Sequence, residues 1–442
     1  MAKSRKLRML EMILRFMSSS ILRKYKPKVI AITGSVGKTT TKEMVWELLS
    51  NYYRTRKNEK NYNNEIGVPL TIIGSESGES SIFGWLAVFF KWLFVIVFPV
   101  KYPEILVLEM GADRPGDIKY LCSFVPIDVG VITNIGISHL EYFKTKKALG
   151  KEKGIILKSV PAQGLAIMNY DDKEVKAIRE QVKANVISYG LEEGCQMQAT
   201  DITYSYKTFM TNHKEKIELV KGVQFKLNYR GKIIPVKLGH ALGYPQVYAS
   251  LIALSVGEYF KLNLIEVVQT FEDFCPPKGR MVLLDGIKHT AIVDDTYNSA
   301  PDSVDASLET LKNIKVNRKI VVLGDMLELG DEEERGHRQV GEAVASAEVD
   351  YFVSVGQRTK HSADEFRKKA RNNGAVTEFN TPMEAGIFIQ HLLEEGDVVL
   401  VKGSQGMRME KVVEEIMAKP SLKHKLLVRQ DKTWLEKEFI QP

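Results

Sequence analysis

Apolar residues along this chain recur in two rhythms. Leu7, Leu10, Leu14, Met17 and Ile21 fall at three- and four-residue steps, with Arg8, Glu11, Arg15 and Ser18 on the opposite face, which predicts an amphipathic helix closed by Pro27. The rhythm then changes. Lys28–Thr33 is a short β-branched run of the kind found in buried parallel strands; it enters a glycine turn, and Lys38–Ser50 resumes helical spacing. Further apolar runs at Ile105–Leu108, Val129–Thr133 and Leu165–Asn169 predict more parallel strands. Residues 200–240 alternate instead, with Thr and Tyr frequent, and predict an antiparallel hairpin region. A helical stretch from Gln246 to Phe260 follows. The paired prolines Pro276 and Pro277 then mark a domain boundary, since they stop a helix and resist a strand. Beyond them strand-like runs return at Ala291–Asp294, Ile320–Leu323, Tyr351–Val355 and Val398–Val401, separated by helical segments. The expected class is α/β: a central phosphate-loop domain with a mostly parallel sheet over 28–276, then a second, Rossmann-like α/β domain over 277–442, with residues 1–27 as a separate helix.

One segment fits neither rhythm. Residues 82–100 are almost wholly apolar, with Lys91 the single charge. The length lies in the roughly 17–25 residue range that can span a bilayer. A single crossing, however, would put the glycine turn and Glu109 on opposite sides of a membrane, although both belong to one sheet. Two other readings stand beside it: a helix buried in protein, and a helix lying in the membrane interface with Trp85 and Trp92 at headgroup depth.

Composition sharpens the picture at one point. The 442 residues are 44% hydrophobic and 26% charged, which fits two or three globular domains and excludes wholesale disorder. Of a net charge of +7, residues 1–28 carry nine basic side chains against Glu11 alone, so the rest of the chain is close to neutral. That argues against a nucleic-acid-binding body and places the basic excess in an N-terminal arm. Three scattered cysteines, Cys122, Cys195 and Cys275, form no metal or disulfide pattern and point to a reducing cytoplasm. Arg15 interrupts the first apolar stretch and no small-residue cleavage site follows, so no signal peptide is read there.

The chemistry gathers at strand ends. In Thr33–Thr40, Gly34, Ser35, Val36 and Gly37 form a loop whose N–H groups suit phosphate oxygens, backed by a helix N-terminus. Lys38 is placed to reach the outer phosphates, and Thr39, followed by Thr40, to offer a hydroxyl to Mg²⁺. Glu109 closes one apolar run, so it falls at the carboxyl edge of the sheet, where ligands bind in open α/β folds. His139 follows another run, and Lys153 comes fourteen residues later.

Together, in this order, these residues resemble the Mur ligase superfamily. The resemblance is carried by ITGSVGKTTTKEM from Ile32, NYNNEIGVPLT from Asn61, LEMGADRPGDI from Leu108 and ITNIGISHLEYF from Ile132. It continues with KGRM from Lys278, VDDTYNSAPDS from Val293, VLGDMLELG from Val322, His337, and VKGSQGMRMEKVV from Val401. Within the superfamily these blocks look most like the branch that adds D-Ala-D-Ala to UDP-MurNAc-tripeptide. The resemblance implies an ATP-dependent amide-bond ligase of peptidoglycan precursor synthesis that works through an acyl phosphate. It implies Mg²⁺ on Thr39 and Glu109, His139 beside a second ion, and carbamylation of Lys153 by CO₂, with Lys38, His139 and Lys153 carrying the catalysis. Arg280, Asp295, Tyr297 and Asn298 are then expected near the nucleotide, and Asn63 and Asn64 near the peptide.

Two departures qualify the match. Family members usually carry a UDP-binding domain before the glycine loop, and about 28 residues stand there in this sequence. The sequence also reads PQVYAS where the family often has HNVYNA, which puts Ala249 in place of an asparagine expected near the adenine. The expectation is a cytoplasmic monomer acting on a muropeptide and D-Ala-D-Ala, with no nucleic-acid partner. Residues 1–26 and 82–100 are expected to bring it to the inner face of the membrane. The alternatives are a related ligase acting on a lipid-linked muropeptide, and a non-catalytic ATP-binding scaffold.

Overall fold

The computed structural model describes residues 5–59, 62–79, 81–136, 143, 145–210, 216–370 and 375–436. It contains two compact units, one formed by 1–200, 227–234 and 248–268, the other by 201–226, 235–247 and 269–442.

The first unit is built on a parallel sheet. Its strands are β1 (Lys28–Thr33), β2 (Thr55–Lys57), β3 (Ile105–Glu109), β4 (Val129–Ile132), β5 (Leu165–Asn169) and β6 (Asn185–Gly190), in the order β2-β3-β1-β4-β5-β6. The apolar runs become strands because both faces of the sheet are covered: every residue of β3, β4 and β5 is buried. Register fixes the site. Ile32 lies beside Glu109 on one side and Val131 on the other, so the carboxyl ends of β1, β3 and β4 finish level. The alternating region forms β7 (Met197–Met210), β8 (Lys216–Tyr229) and β9 (Lys232–Leu238), neighbours in that order, most of whose residues belong to the second unit. Arg230 and Gly231, both at positive φ, join β8 to β9 as a two-residue hairpin turn.

The helices of this unit are α1 (Arg5–Tyr25), α2 (Lys38–Ser50), α3 (Gly67–Ile73), α4 (Ile82–Val97), α5 (Asp117–Cys122) and α6 (Lys146–Lys153). Two depart from the sequence reading. In α1 the supposedly polar Glu11 and Ser18 are buried with Leu14, Met17, Ile21 and Leu22, while Met9, Met12, Ile13 and Phe16 face outward. Ser18 tolerates burial because its hydroxyl donates to the Leu14 carbonyl at 2.8 Å and reaches the Pro69 carbonyl at 3.3 Å. In α4 only Val88 and Val95 are buried, which overturns the reading of this segment as a helix enclosed by protein. Among the described residues no helix is long and apolar enough to cross a membrane.

The second unit carries a six-stranded sheet of β10 (Val282–Gly286), β11 (Thr290–Asp295), β12 (Lys319–Gly324), β13 (Tyr351–Val355), β14 (Ala375–Phe379) and β15 (Val398–Lys402). The order is β10-β11-β15-β12-β13-β14; the first pair is antiparallel and the others parallel. Helix α7 (Pro301–Asn313) buries Val304, Leu308 and Leu311 in a core that also takes in Leu219, Val220 and Leu242, from well upstream of Pro276. Both units are therefore α/β with mostly parallel sheets, as the apolar runs predict.

Candidate active site

The loop leaving β1 is held from β4. Gly34 sits at φ +150°, and a Cβ there would lie 1.8 Å from the Thr133 hydroxyl oxygen, so only glycine fits. The Thr133 hydroxyl donates to the Val36 carbonyl at 2.7 Å. Asn134 Oδ1 accepts from the amides of Ser35 (3.1 Å) and Val36 (2.8 Å). These two amides are thus turned onto a side chain, and an anion would meet the next part of the loop. Gly37, at φ +84°, ends the loop as the N-cap of α2, and a Cβ on it would meet nothing within 4 Å. The N–H groups of Lys38, Thr39 and Thr40 open α2, where no helical turn can satisfy them. The Lys38 ammonium folds back onto the carbonyls of Gly34 (2.8 Å) and Ser35 (3.2 Å). A glycine loop that ends in a helix N-terminus fits a nucleotide phosphate chain.

Beside the loop stands a second lysine. Lys153, at the end of α6, is 2% exposed, and its Nζ donates to Ser35 Oγ at 3.0 Å. Ser35 Oγ in turn accepts from the Gly136 amide at 2.8 Å. Burial pushes the Lys153 amine well below its ordinary pKa; the Lys38 cation adds to this, and Asp172 and Asp113 oppose it. Sequence brings Lys153 and Ser35 no closer than 118 positions, so only the fold joins them.

Glu109 ends β3 almost fully buried. Asn58 takes its backbone: the Glu109 amide donates to Asn58 Oδ1 at 2.8 Å and the Glu109 carbonyl accepts from Nδ2 at 2.9 Å. Its carboxylate accepts from Asn63 Nδ2 at 3.2 Å. Asn63 is thereby brought to the strand-end carboxylate. Asn64 is not: its Oδ1 accepts from Ile66 and Gly67 amides and starts α3. His139 lies outside the described residues. Among those residues no cluster of three or more His, Cys, Asp or Glu is arranged as a metal cage. A hydroxyl and a carboxylate are nevertheless the oxygen donors that Mg²⁺ takes when nucleotide phosphates and water complete its shell, so Thr39 and Glu109 fit that ion.

The second unit gathers its own residues at the ends of β11 and β15. The Arg280 guanidinium stacks 3.9 Å from the Tyr297 ring centre, and the Arg280 carbonyl accepts from Gln246 Nε2 at 3.1 Å. Asp295 is committed within the protein: the Lys402 ammonium donates to its Oδ2 at 2.6 Å and Ser307 Oγ at 2.8 Å. Lys402 also donates to the Asn298 carbonyl at 3.0 Å, leaving the Asn298 side chain exposed. Buried Lys402 has its pKa lowered by desolvation, against the pull of Asp295. Behind this loop Arg429 donates to the carbonyls of Thr296 (2.6 Å) and Tyr297 (3.2 Å) and pairs with buried Glu410 at 2.7 Å. Farther along the same edge, the Asp325 carboxylate accepts from the Thr359 amide at 2.8 Å, and His337 Nε2 accepts from the Met326 amide at 3.0 Å.

The sequence reading passed over Asn58, Asn134, Lys402 and Arg429. Asn134 and Lys402 stand one step beyond or at the end of an apolar run, the position that singled out Glu109. Arg429 carries no such signal.

Residues 32–83 and 94–254 match the Mur ligase middle domain, and 279–405 match the Mur ligase glutamate ligase domain. The chain belongs to the Mur ligase family. That family consists of ATP-dependent, ADP-forming amide ligases. The chain is 26% identical over 406 residues to the UDP-N-acetylmuramoyl-tripeptide–D-alanyl-D-alanine ligase of Bacillus subtilis (strain 168), covering 91% of this chain and 79% of that one. Among solved structures it resembles MurF from Acinetobacter baumannii (27% identity, TM-score 0.73, 92% of this chain and 80% of the other). It also resembles MurF ligase from Thermotoga maritima in complex with ADP (26% identity, TM-score 0.74, 92% and 83%). The match of this Mur ligase to the middle domain is broken at 84–93, inside α4.

Proposed function

We propose that this Mur ligase adds D-Ala-D-Ala to a muramoyl-tripeptide in the cytoplasm, forming an acyl phosphate and releasing ADP and phosphate. The observation that carries the reading is the phosphate loop with two lysines on it, one at its rim and one buried against Ser35. The relatives named above support the choice of tripeptide and dipeptide.

The residues divide the work as follows. Lys38 leaves the Gly34 and Ser35 carbonyls to neutralise charge on the transferring phosphoryl group, and the first amides of α2 hold the oxygens behind it. Mg²⁺, held by Thr39 and Glu109, would supply further neutralisation of phosphate charge. Asn63, hydrogen-bonded to Glu109, is positioned to orient the peptide carboxylate beside that charge. Lys153 is buried and biased toward the neutral amine, the form that takes up CO₂; loss of one proton then leaves an anionic carbamate of oxygen donors. Arg280 and Tyr297, stacked on each other with Arg429 bound to the Tyr297 carbonyl, are the residues we propose for the second unit's part in nucleotide binding.

The test is ATP-dependent phosphate release with D-Ala-D-Ala and three acceptors: UDP-MurNAc-tripeptide containing diaminopimelate, the same with lysine, and a lipid-linked muropeptide. A new amide, seen by mass spectrometry with one of them, is the expected result. ATP turnover without D-Ala-D-Ala incorporation into any acceptor would overturn the proposal.

A further inference from the structure

Helices α1 and α4 form one joined pair with an outward face that, among the described residues, no part of the first unit covers. Lys24 of α1 donates to three carbonyls at the end of α4, those of Val95, Ile96 and Phe98, at 2.8–3.0 Å. The Tyr25 hydroxyl adds a bond to the Val95 carbonyl at 2.8 Å, and Trp92 Nε1 donates to Ser20 Oγ at 2.8 Å. On the outside, ring contacts run without a break from Phe16 through Trp92 and Phe89 to Phe90. The face is strongly apolar at its edges as well, with Phe83 83% and Phe90 60% exposed. A surface of this kind needs an occupant.

Charge says which one. The outer stripe of α1, Met9, Met12, Ile13 and Phe16, is flanked by Arg5, Lys6, Arg8 and Arg23, while the helix's one acid, Glu11, is turned inward. Alongside lies a groove of about 980 Å³ whose lining includes Arg15, Arg23 and Lys26 next to Phe16, Phe124 and Pro126. Cations set at the border of an apolar face match a layer with phosphates outside and hydrocarbon beneath. A protein partner would need an acidic rim around an apolar centre, and a second copy of this chain would bring cations against cations. The 16 residues of α4 span about 24 Å, short of the ~30 Å hydrocarbon core, so the helix fits along the layer and not through it. The family pattern is interrupted at the same place.

We propose that the joined outer face of α1 and α4 docks on an anionic phospholipid bilayer, both helices lying in the plane of the interface, with Arg15, Arg23 and Lys26 facing headgroup phosphates. This does not rest on the identity of the ligated peptide, and its test reads lipid binding alone. The full chain is floated with vesicles of phosphatidylcholine alone or containing about 30% phosphatidylglycerol. The wild type is expected to float with the anionic vesicles, with a blue-shifted tryptophan emission that brominated lipid quenches. Phe83→Ser with Phe90→Ser, on exposed side chains, is expected to weaken binding at least about tenfold at an unchanged melting temperature. Arg23→Glu with Lys26→Glu is expected to abolish the preference for anionic vesicles. Three results would overturn the proposal: wild type that stays unbound with both vesicles, apolar variants that float as wild type does, or wild-type self-association that the apolar variants abolish without any vesicle binding.

Discussion

At the scale of single residues, the site depends on groups whose environment sets their chemistry. Lys153 is surrounded by protein and faces a second cation, Lys38, so its amine is held toward the neutral form. Lys153→Met keeps the volume and removes the nitrogen; kcat for phosphate release is expected to fall about 10²- to 10³-fold, while ATP affinity by calorimetry changes little. Gly34→Ala acts differently. The added carbon collides with Thr133 at a φ of +150°, so both ATP binding and stability are expected to drop, the latter by about 1–3 kcal/mol in denaturant titration. Asp294 supplies a pH signature. Burial first of all, with Asp295 adding to it, pushes its carboxyl from 3.8 up to about 6, against hydrogen bonds from Thr296 and the Arg429 charge. The folded state therefore holds this proton after the unfolded chain has released it, and its contribution to stability falls as pH rises from about 4 to about 6. Asp294→Asn is expected to flatten the melting temperature across that window relative to wild type, measured by scanning calorimetry.

At the scale of elements, the loop after β11 shows how a site is stiffened from outside the strand that bears it. Arg429 bridges two loop carbonyls to Glu410, at the start of the helix Glu410–Ile416. Arg429→Ala leaves a buried carboxylate with Arg408, 3.4 Å away, as its remaining ion-pair partner among the described residues. The expected cost is about 3–5 kcal/mol in chemical denaturation, with KM for ATP rising as Tyr297 loses its backing. Strands, by contrast, were open to sequence reading. Ile105–Leu108 and Val398–Val401 are continuous apolar runs because both sheet faces are covered, and covered sheets leave that mark. The phosphate loop was legible because positive φ at positions 34 and 37 favours glycine, which shows in the sequence, although the Thr133 contact that also demands glycine at 34 does not. Helix α1 was half legible. Its period is right, but a period reports an apolar face without saying whether protein or something else meets it, and it puts Glu11 and Ser18 on the outer face although both are buried. Asn58 and Arg429 were invisible because their partners lie 51 and 133 positions away.

At the scale of the whole molecule, the chain passes between its compact units five times, at 200, 226, 234, 247 and 268. The core under α7 includes Leu219, Val220 and Leu242. A fragment of residues 277–442 lacks all three, each contributing about 1.5–3 kcal/mol of buried apolar surface. Such a fragment is expected to bind a hydrophobic dye and to melt without a cooperative transition, whereas the full chain melts cooperatively. The same interleaving bears on descent. A gene coding for two bodies end to end can exchange either one by a single crossover. Here no single breakpoint separates the two compact units, so a crossover near Pro276 would leave Leu219, Val220 and Leu242 behind and part the second core from three of its members.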